Sequence, residues 1–398
     1  MATRAGANGD TVDTVIVGAS VAGLATAACL RRAGVPFVLL EQGPCLAPPW
    51  RRHYDRLHLH TSRALSGLPH LGFPRTFPRS PSRDQVVMYL EAYAAHFDLR
   101  PRFGTRVARV ARSEAGWEVI ADDGFVHHAR HVVIATGHAY TPNLPDWPGR
   151  ASFGGPIVHS SAYRNAAALL GASGRDKNVL VVGIGNSGAE IALDLAEQGA
   201  RVAIAVRSGV NVVPRTFLGI SIDRLAVSIS RLPVRLGDAI VRLLSRVVFG
   251  SLARFGLRPA DHGTVTGFRQ RSVSPIIDVG AMARIRTGAI AVVPAVTRFS
   301  PGQVHFADGH TRPADAVVLA TGYRVALGGL LAATPAAAAL DDEGSIQAAN
   351  RAALPFVAGA PGLYLCGFKV NLTGMFRRIA HEARVIAAAI SSDRSARS

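Results

Sequence analysis

Two glycine-rich segments, Gly18-Ala-Ser-Val-Ala-Gly23 and Gly183-Ile-Gly-Asn-Ser-Gly188, have the residue types and spacing to hold a dinucleotide. In such a loop the first glycine permits a tight turn, and the second lets backbone approach a pyrophosphate. The third lets helix and strand pack closely, and the helix N-terminus behind the loop faces the anion. Gly183, Gly185 and Gly188 fill all three positions, with Asn186 and Ser187 opening the helix beside them. At the first segment Gly18 and Gly23 fill the outer positions. Ser20 holds the middle one, where a small side chain still permits close approach.

The charges that follow differ between the two sites. Glu41 ends the strand after the first segment, where a carboxylate accepts hydrogen bonds from a ribose diol, as FAD or NAD requires. Arg207 follows the equivalent strand of the second site, where a cation suits the 2'-phosphate of NADP.

The elements that position these residues repeat. Thr14-Val-Ile-Val17 reads as a buried parallel strand, followed by an Ala/Leu-rich helix ending at Gly34 and a strand over 35–40. Asn178-Val-Leu-Val-Val182, a helix through Gln198 with Gly199 as its stop, and a strand over 201–206 repeat that order. Each unit has a later echo, His131-Val-Val-Ile-Ala-Thr-Gly137 and Ala316-Val-Val-Leu-Ala-Thr-Gly322, which makes Gly322 a further cofactor candidate. The fold expected is α/β with two Rossmann-like domains, the NADP domain inserted in the FAD domain. Its boundaries are 10–149 and 313–392 for FAD and 150–312 for NADP, with 1–9 and 393–398 as flexible ends.

Bulk properties exclude other classes. The formal charge of +17 comes almost wholly from Arg, Lys177 and Lys369 being the only lysines, and no basic run or nucleic-acid module accompanies it. Nucleic-acid binding is therefore not expected. Cys29, Cys45 and Cys366 have neither CxxC nor metal-ligand spacing, so a cytoplasmic protein without a metal is expected. No segment reads as a membrane span. Between Ile220 and Phe255, Arg231, Arg235, Arg242 and Arg246 recur at helical spacing between apolar residues. A solvated helix face is the preferred reading, with peripheral contact on anionic lipid the alternative.

Phe153-Gly-Gly155-Pro-Ile-Val-His159-Ser-Ser-Ala-Tyr163 matches the FxGxxxHxxxY signature of flavin-containing monooxygenases and lies between the two fingerprints, as in that family. Tyr54-Asp-Arg-Leu-His-Leu-His60, Ser274-Pro-Ile-Ile-Asp-Val-Gly280 and Leu363-Tyr-Leu-Cys-Gly-Phe368 resemble the YUCCA branch and its bacterial relatives, the similarity running over roughly residues 12 to 390. The resemblance implies that NADPH reduces FAD, that O2 then forms a C4a-hydroperoxyflavin, and that a small organic molecule is oxygenated. It also implies that His159 couples cofactor steps from an interdomain linker and that His60 stands near the flavin, where animal enzymes carry Asn. By the same resemblance Arg63 would contact cofactor, and the helix dipole suggests that Gly367 and a helix beginning around 371–374 aim backbone N–H groups at the flavin. YUCCA-like oxidative decarboxylation of a 2-oxo acid such as indole-3-pyruvate is the substrate expectation, in a cation-rich pocket that includes Arg63.

Three alternatives stay open at this point. N- or S-oxygenation and Baeyer-Villiger chemistry use the same cofactors, though Tyr163 stands where the latter signature has Trp. A non-catalytic NADPH- and FAD-binding redox regulator is the third. The sequence leaves the oligomeric state unassigned.

Overall fold

The computed structural model describes residues 9–138, 141–171, 174–271, 273–347, 350–351 and 353–397. The first βαβ unit consists of β1 (Gly9–Val17), α1 (Val21–Arg32) and β2 (Phe37–Leu40), with β2 parallel to β1. A meander follows: β3 (Val107–Ser113), β4 (Gly116–Ala121) and β5 (Val126–Ile134). β5 pairs with β1 over its whole length. Its other edge is divided between β4, which takes residues 126–129, and a late strand over 363–365, which takes residues 132–134.

A second sheet is built from β6 (Ile157–His159), β7 (Asn178–Val182), β8 (Arg201–Ala205), β9 (Ile290–Val293) and β10 (Ala316–Leu319), ordered β9-β8-β7-β10-β6 and parallel throughout. Its crossover helix, α2 (Asn186–Glu197), joins β7 to β8. Parallel sheets are covered on both faces, which explains why these strands are continuous runs of Val, Ile, Leu and Ala without alternation. Between β8 and β9 lie α3 (Ile222–Ile229) and α4 (Val234–Phe249). The chain returns to the first sheet through β11 (Leu363–Leu365) and closes with α5 (Met375–Ser395), whose Ile379, Ala383 and Ile386 pack with α1 in one core.

The structure has the two Rossmann-like units that the repeat predicts, with a different crossover point. β10 hydrogen-bonds β7 and β6, so the boundary expected at 312/313 falls before a strand that completes the second sheet. The two connections run side by side, Thr141–Pro142 pairing antiparallel with Tyr323–Arg324. Leu327 and Leu331 then join the core that contains Val15, Val110 and Trp117 of the first unit. The sequence reading put the return at 312/313 because the Gly-rich segment after residue 320 resembles the closing part of an FAD domain, whereas the pairing of β10 is set by strands far away in sequence.

Gly9, expected in a flexible leader, opens β1, and residues 393–395, expected in the flexible C-terminal end, continue α5. The remaining leader residues and residue 398 lie outside the described set.

Candidate functional site

Both glycine loops form the strand-turn-helix geometry that an anion site needs. Gly18 and Gly183 have φ of +104° and +101°, a region that side chains disfavour. A Cβ on Gly23 would lie 1.8 Å from the Gly18 carbonyl oxygen, and one on Gly188 would lie 2.0 Å from that of Gly183. The outer glycines are therefore required by the fold itself. The middle position is different: Gly185 has φ −65° and ψ −178°, with nothing within 4 Å of an added Cβ. Ser20 occupies the corresponding place with φ −109° and ψ −155°, ordinary extended backbone, so the first loop folds without a middle glycine.

Each loop opens a cavity. Gly18, Ser20, Glu41, Arg52 and Arg106 line the first, of about 560 Å³. The buried carboxylate of Glu41 accepts the Ala19 and Gly43 amides at 2.8 Å each, one on each oxygen. Gly183, Gly185, Arg207 and Ser208 line the second, of about 480 Å³. Arg207 is exposed and forms no ion pair among the described residues.

A third cavity, about 300 Å³ and mainly apolar, lies where the two units meet. Trp50, Leu59, His60 and Thr61 come to it from the first unit, Asn186 and Ile277 from the second, and Asn371, Gly374, Met375 and Phe376 from the start of α5. His60 Nε2 pairs with the carboxylate of buried Glu190 on α2, and burial and the Glu190 charge hold the Tyr54 hydroxyl well above the usual phenol range. A side chain of one unit is thus held by a carboxylate of the other. Asn186 spends its amide on the protein, donating to the Pro275 carbonyl at 3.2 Å and accepting from Ile277 N at 2.7 Å.

His159 lies elsewhere, at the paired connections. Its Nε2 donates to the Gly322 carbonyl at 3.0 Å, while Nδ1 accepts the Ser161 amide at 3.1 Å. Gly322 also accepts the Asn143 amide. Burial pushes the His159 pKa down, in keeping with a neutral ring whose proton sits on Nε2. Tyr163 of the same signature is buried in the second core and donates to Asp194 at 2.5 Å. Burial and that carboxylate hold its hydroxyl well above the usual phenol range.

Over residues 15–217 the chain matches the family model described as pyridine nucleotide-disulphide oxidoreductase. It is 42% identical over 314 residues to indole-3-pyruvate monooxygenase YUCCA1 from Oryza sativa subsp. japonica, covering 78% of this chain and 76% of that protein. Among solved structures it is similar to a flavin-containing monooxygenase from Stenotrophomonas maltophilia, with TM-score 0.71, 23% identity and coverage of 96% and 99%. The chain belongs to the class B flavin monooxygenase family. As a member it is an NADPH-dependent FAD monooxygenase.

In this monooxygenase all three cysteines are free, with Cys29 and Cys366 buried, so the matching family model reflects the two-dinucleotide architecture. Two sequence expectations need correction. Arg63 lines none of these three cavities, and the apolar one has no Lys or Arg among its lining residues, so it is not cation-rich. The Gly367 amide donates to Glu382 at 2.8 Å, which leaves the N-terminus of α5, at Gly374 and Met375, as the part of that segment facing the cavity.

Sequence reasoning missed Arg52, Tyr54 and Glu190. The signal for Glu190 was present as an acid among Ala, Ile and Leu one turn into α2, where a buried charge demands partners. Which partners it has depended on how the units dock. Among the described residues no helix is long and apolar enough to cross a membrane.

Proposed function

We propose that the monooxygenase oxygenates a 2-oxo acid of the indole-3-pyruvate type in the cavity between its two units. The observation that carries this is the meeting of His60, Asn186 of the second glycine loop and the N-terminus of α5 around one apolar chamber.

FAD fits the first unit: the turn at Gly18, the close packing at Gly23 and the buried Glu41 carboxylate form a cradle for pyrophosphate and ribose. Gly18, Ser20 and Arg52 would face the pyrophosphate and Glu41 the ribose. Gly183, Gly185, Ser187 and Gly188 would form the NADPH cradle, with Arg207 on the 2'-phosphate. Bound FAD, reduced by NADPH, supplies the activation of dioxygen.

The protein's part is to orient and to exclude water. Trp50, Leu59 and Phe376 form apolar walls for an aromatic ring, and the His60–Glu190 pair places a hydrogen-bonding imidazole at the chamber surface. Oxygen attack at the ketone carbon breaks the bond to the carboxylate carbon. Carbon dioxide leaves, one oxygen atom ends in the shortened acid and the other in water, and NADPH supplies the two electrons. His159 acts by joining the two connections through Gly322, with both ring nitrogens occupied.

A second reading, oxygenation of a neutral amine or thioether, is favoured by the absence of Lys and Arg from the described lining. Turnover of indole-3-pyruvate with NADPH and O2 tests both, with indole-3-acetate and hydrogen peroxide quantified together. Stoichiometric indole-3-acetate supports the first reading. Peroxide alone, with oxygenated product from an uncharged amine or thioether, replaces it with the second.

A further inference from the structure

The inner face of α4 is fully engaged. Val241 and Phe249 are buried, Asp238 accepts the Val265 amide at 2.6 Å, and Ser245 donates to the Val212 carbonyl at 2.7 Å. The outer face carries the exposed arginines that the sequence reading expects, and beside them exposed apolar side chains that it does not. Leu236, Ile240, Leu243 and Val247 are 49%, 37%, 65% and 67% exposed, and their spacing places them on one stripe. Arg235, Arg242 and Arg246 are exposed on the adjoining stripe, with Arg231 just before the helix. None of the four forms an ion pair among the described residues. The only carboxylates between residues 222 and 258, Asp223 and Asp238, are buried and hydrogen-bonded, so no negative charge of this segment offsets the arginines.

An apolar stripe bordered by uncompensated arginines fits a surface with anionic groups over an apolar interior. A second copy meeting this face through a two-fold axis would set the same arginines against one another. We infer that α4 docks the monooxygenase on the surface of an anionic lipid bilayer, with Leu236, Ile240, Leu243 and Val247 entering the acyl boundary and the arginines at the headgroups. Docking there places the bilayer beside the site, because Val241 of α4 and Ile222, Ala226 and Ile229 of α3 wall the apolar cavity. An apolar substrate then reaches that cavity from the lipid phase.

The test is co-sedimentation of the full-length, FAD-loaded protein with vesicles of phosphatidylcholine alone or mixed equally with phosphatidylglycerol, at low and high salt. Binding is expected only to the mixed vesicles and is weakened by salt. R242Q/R246Q is expected to lower the partition coefficient by about tenfold or more. L243S/V247S leaves the charge unchanged and is expected to reduce binding comparably, with substrate-free NADPH oxidation unaffected in both variants. Absence of binding to mixed vesicles at low salt would overturn the inference. So would binding that L243S/V247S does not weaken, since the net charge alone would then account for adhesion. A stable dimer dissolved by L243S/V247S would assign the face to a second copy.

Discussion

Alanine at the second and third glycines of the NADPH loop should fail in different ways, because the fold requires only one of them. At Gly188 the added Cβ would lie 2.0 Å from the Gly183 carbonyl oxygen and 3.1 Å from the Ala320 Cβ. The oxygen belongs to a backbone whose turn is set at φ +101°, so relief requires moving α2 off the sheet by roughly 1 Å or more. Overpacking of this kind costs about 1–3 kcal/mol, and at roughly 2–4 °C per kcal/mol Gly188→Ala should lower Tm by about 2–12 °C. At Gly185 nothing lies within 4 Å of the new methyl and the backbone is extended, so Gly185→Ala should leave Tm within about 1 °C of wild type. What the methyl occupies is the approach to the pyrophosphate. Loss of one charge-assisted hydrogen bond, about 1.5–3 kcal/mol, weakens NADPH by about tenfold or more. The assay is paired: calorimetry on the FAD-loaded protein, and NADPH titration followed by flavin fluorescence. Normal NADPH affinity in Gly185→Ala, or an unchanged Tm in Gly188→Ala, would refute the reasoning.

Arg207→Ala should raise the NADPH Michaelis constant about tenfold while leaving that for NADH unchanged; equal effects on both would make Arg207 a surface residue only. Glu190→Gln removes the charge that holds His60, so FAD content should persist while the ratio of peroxide to oxygenated product rises about tenfold. An unchanged ratio would confine the pair to a packing role. Burial and the neighbouring Arg83 push His53 down to about 4, below its unfolded value, so unfolding takes up a proton between about pH 4 and 6.5. Stability is then present above that window and is lost as pH falls through it; Tm measured from pH 7 to 5 should drop, and H53Q should flatten the slope.

The sequence by itself determined the two units and their ligand class. Gly23 and Gly188 are demanded by contacts within one βαβ unit and Gly18 and Gly183 by the positive φ of its turn, and Glu41 and Arg207 each stand just past the second strand of that unit. Such local geometry is written in spacing. The same holds for the engaged side of α4, whose period shows in the apolar pattern. Tertiary structure alone decided what forms between distant segments. The crossover moved to Tyr323–Arg324 because β10 pairs with β7 and β6, a choice that its apolar run does not encode. Glu190 meets His60 only because two units dock, and the Gly367 amide turns to Glu382 only because α5 packs beneath it. The outer stripe of α4 is exposed because no other element among the described residues covers it, whereas apolar spacing reads alike for a face that is packed and one left open. Periodicity reports which residues share a face, and only the assembled chain determines what that face meets.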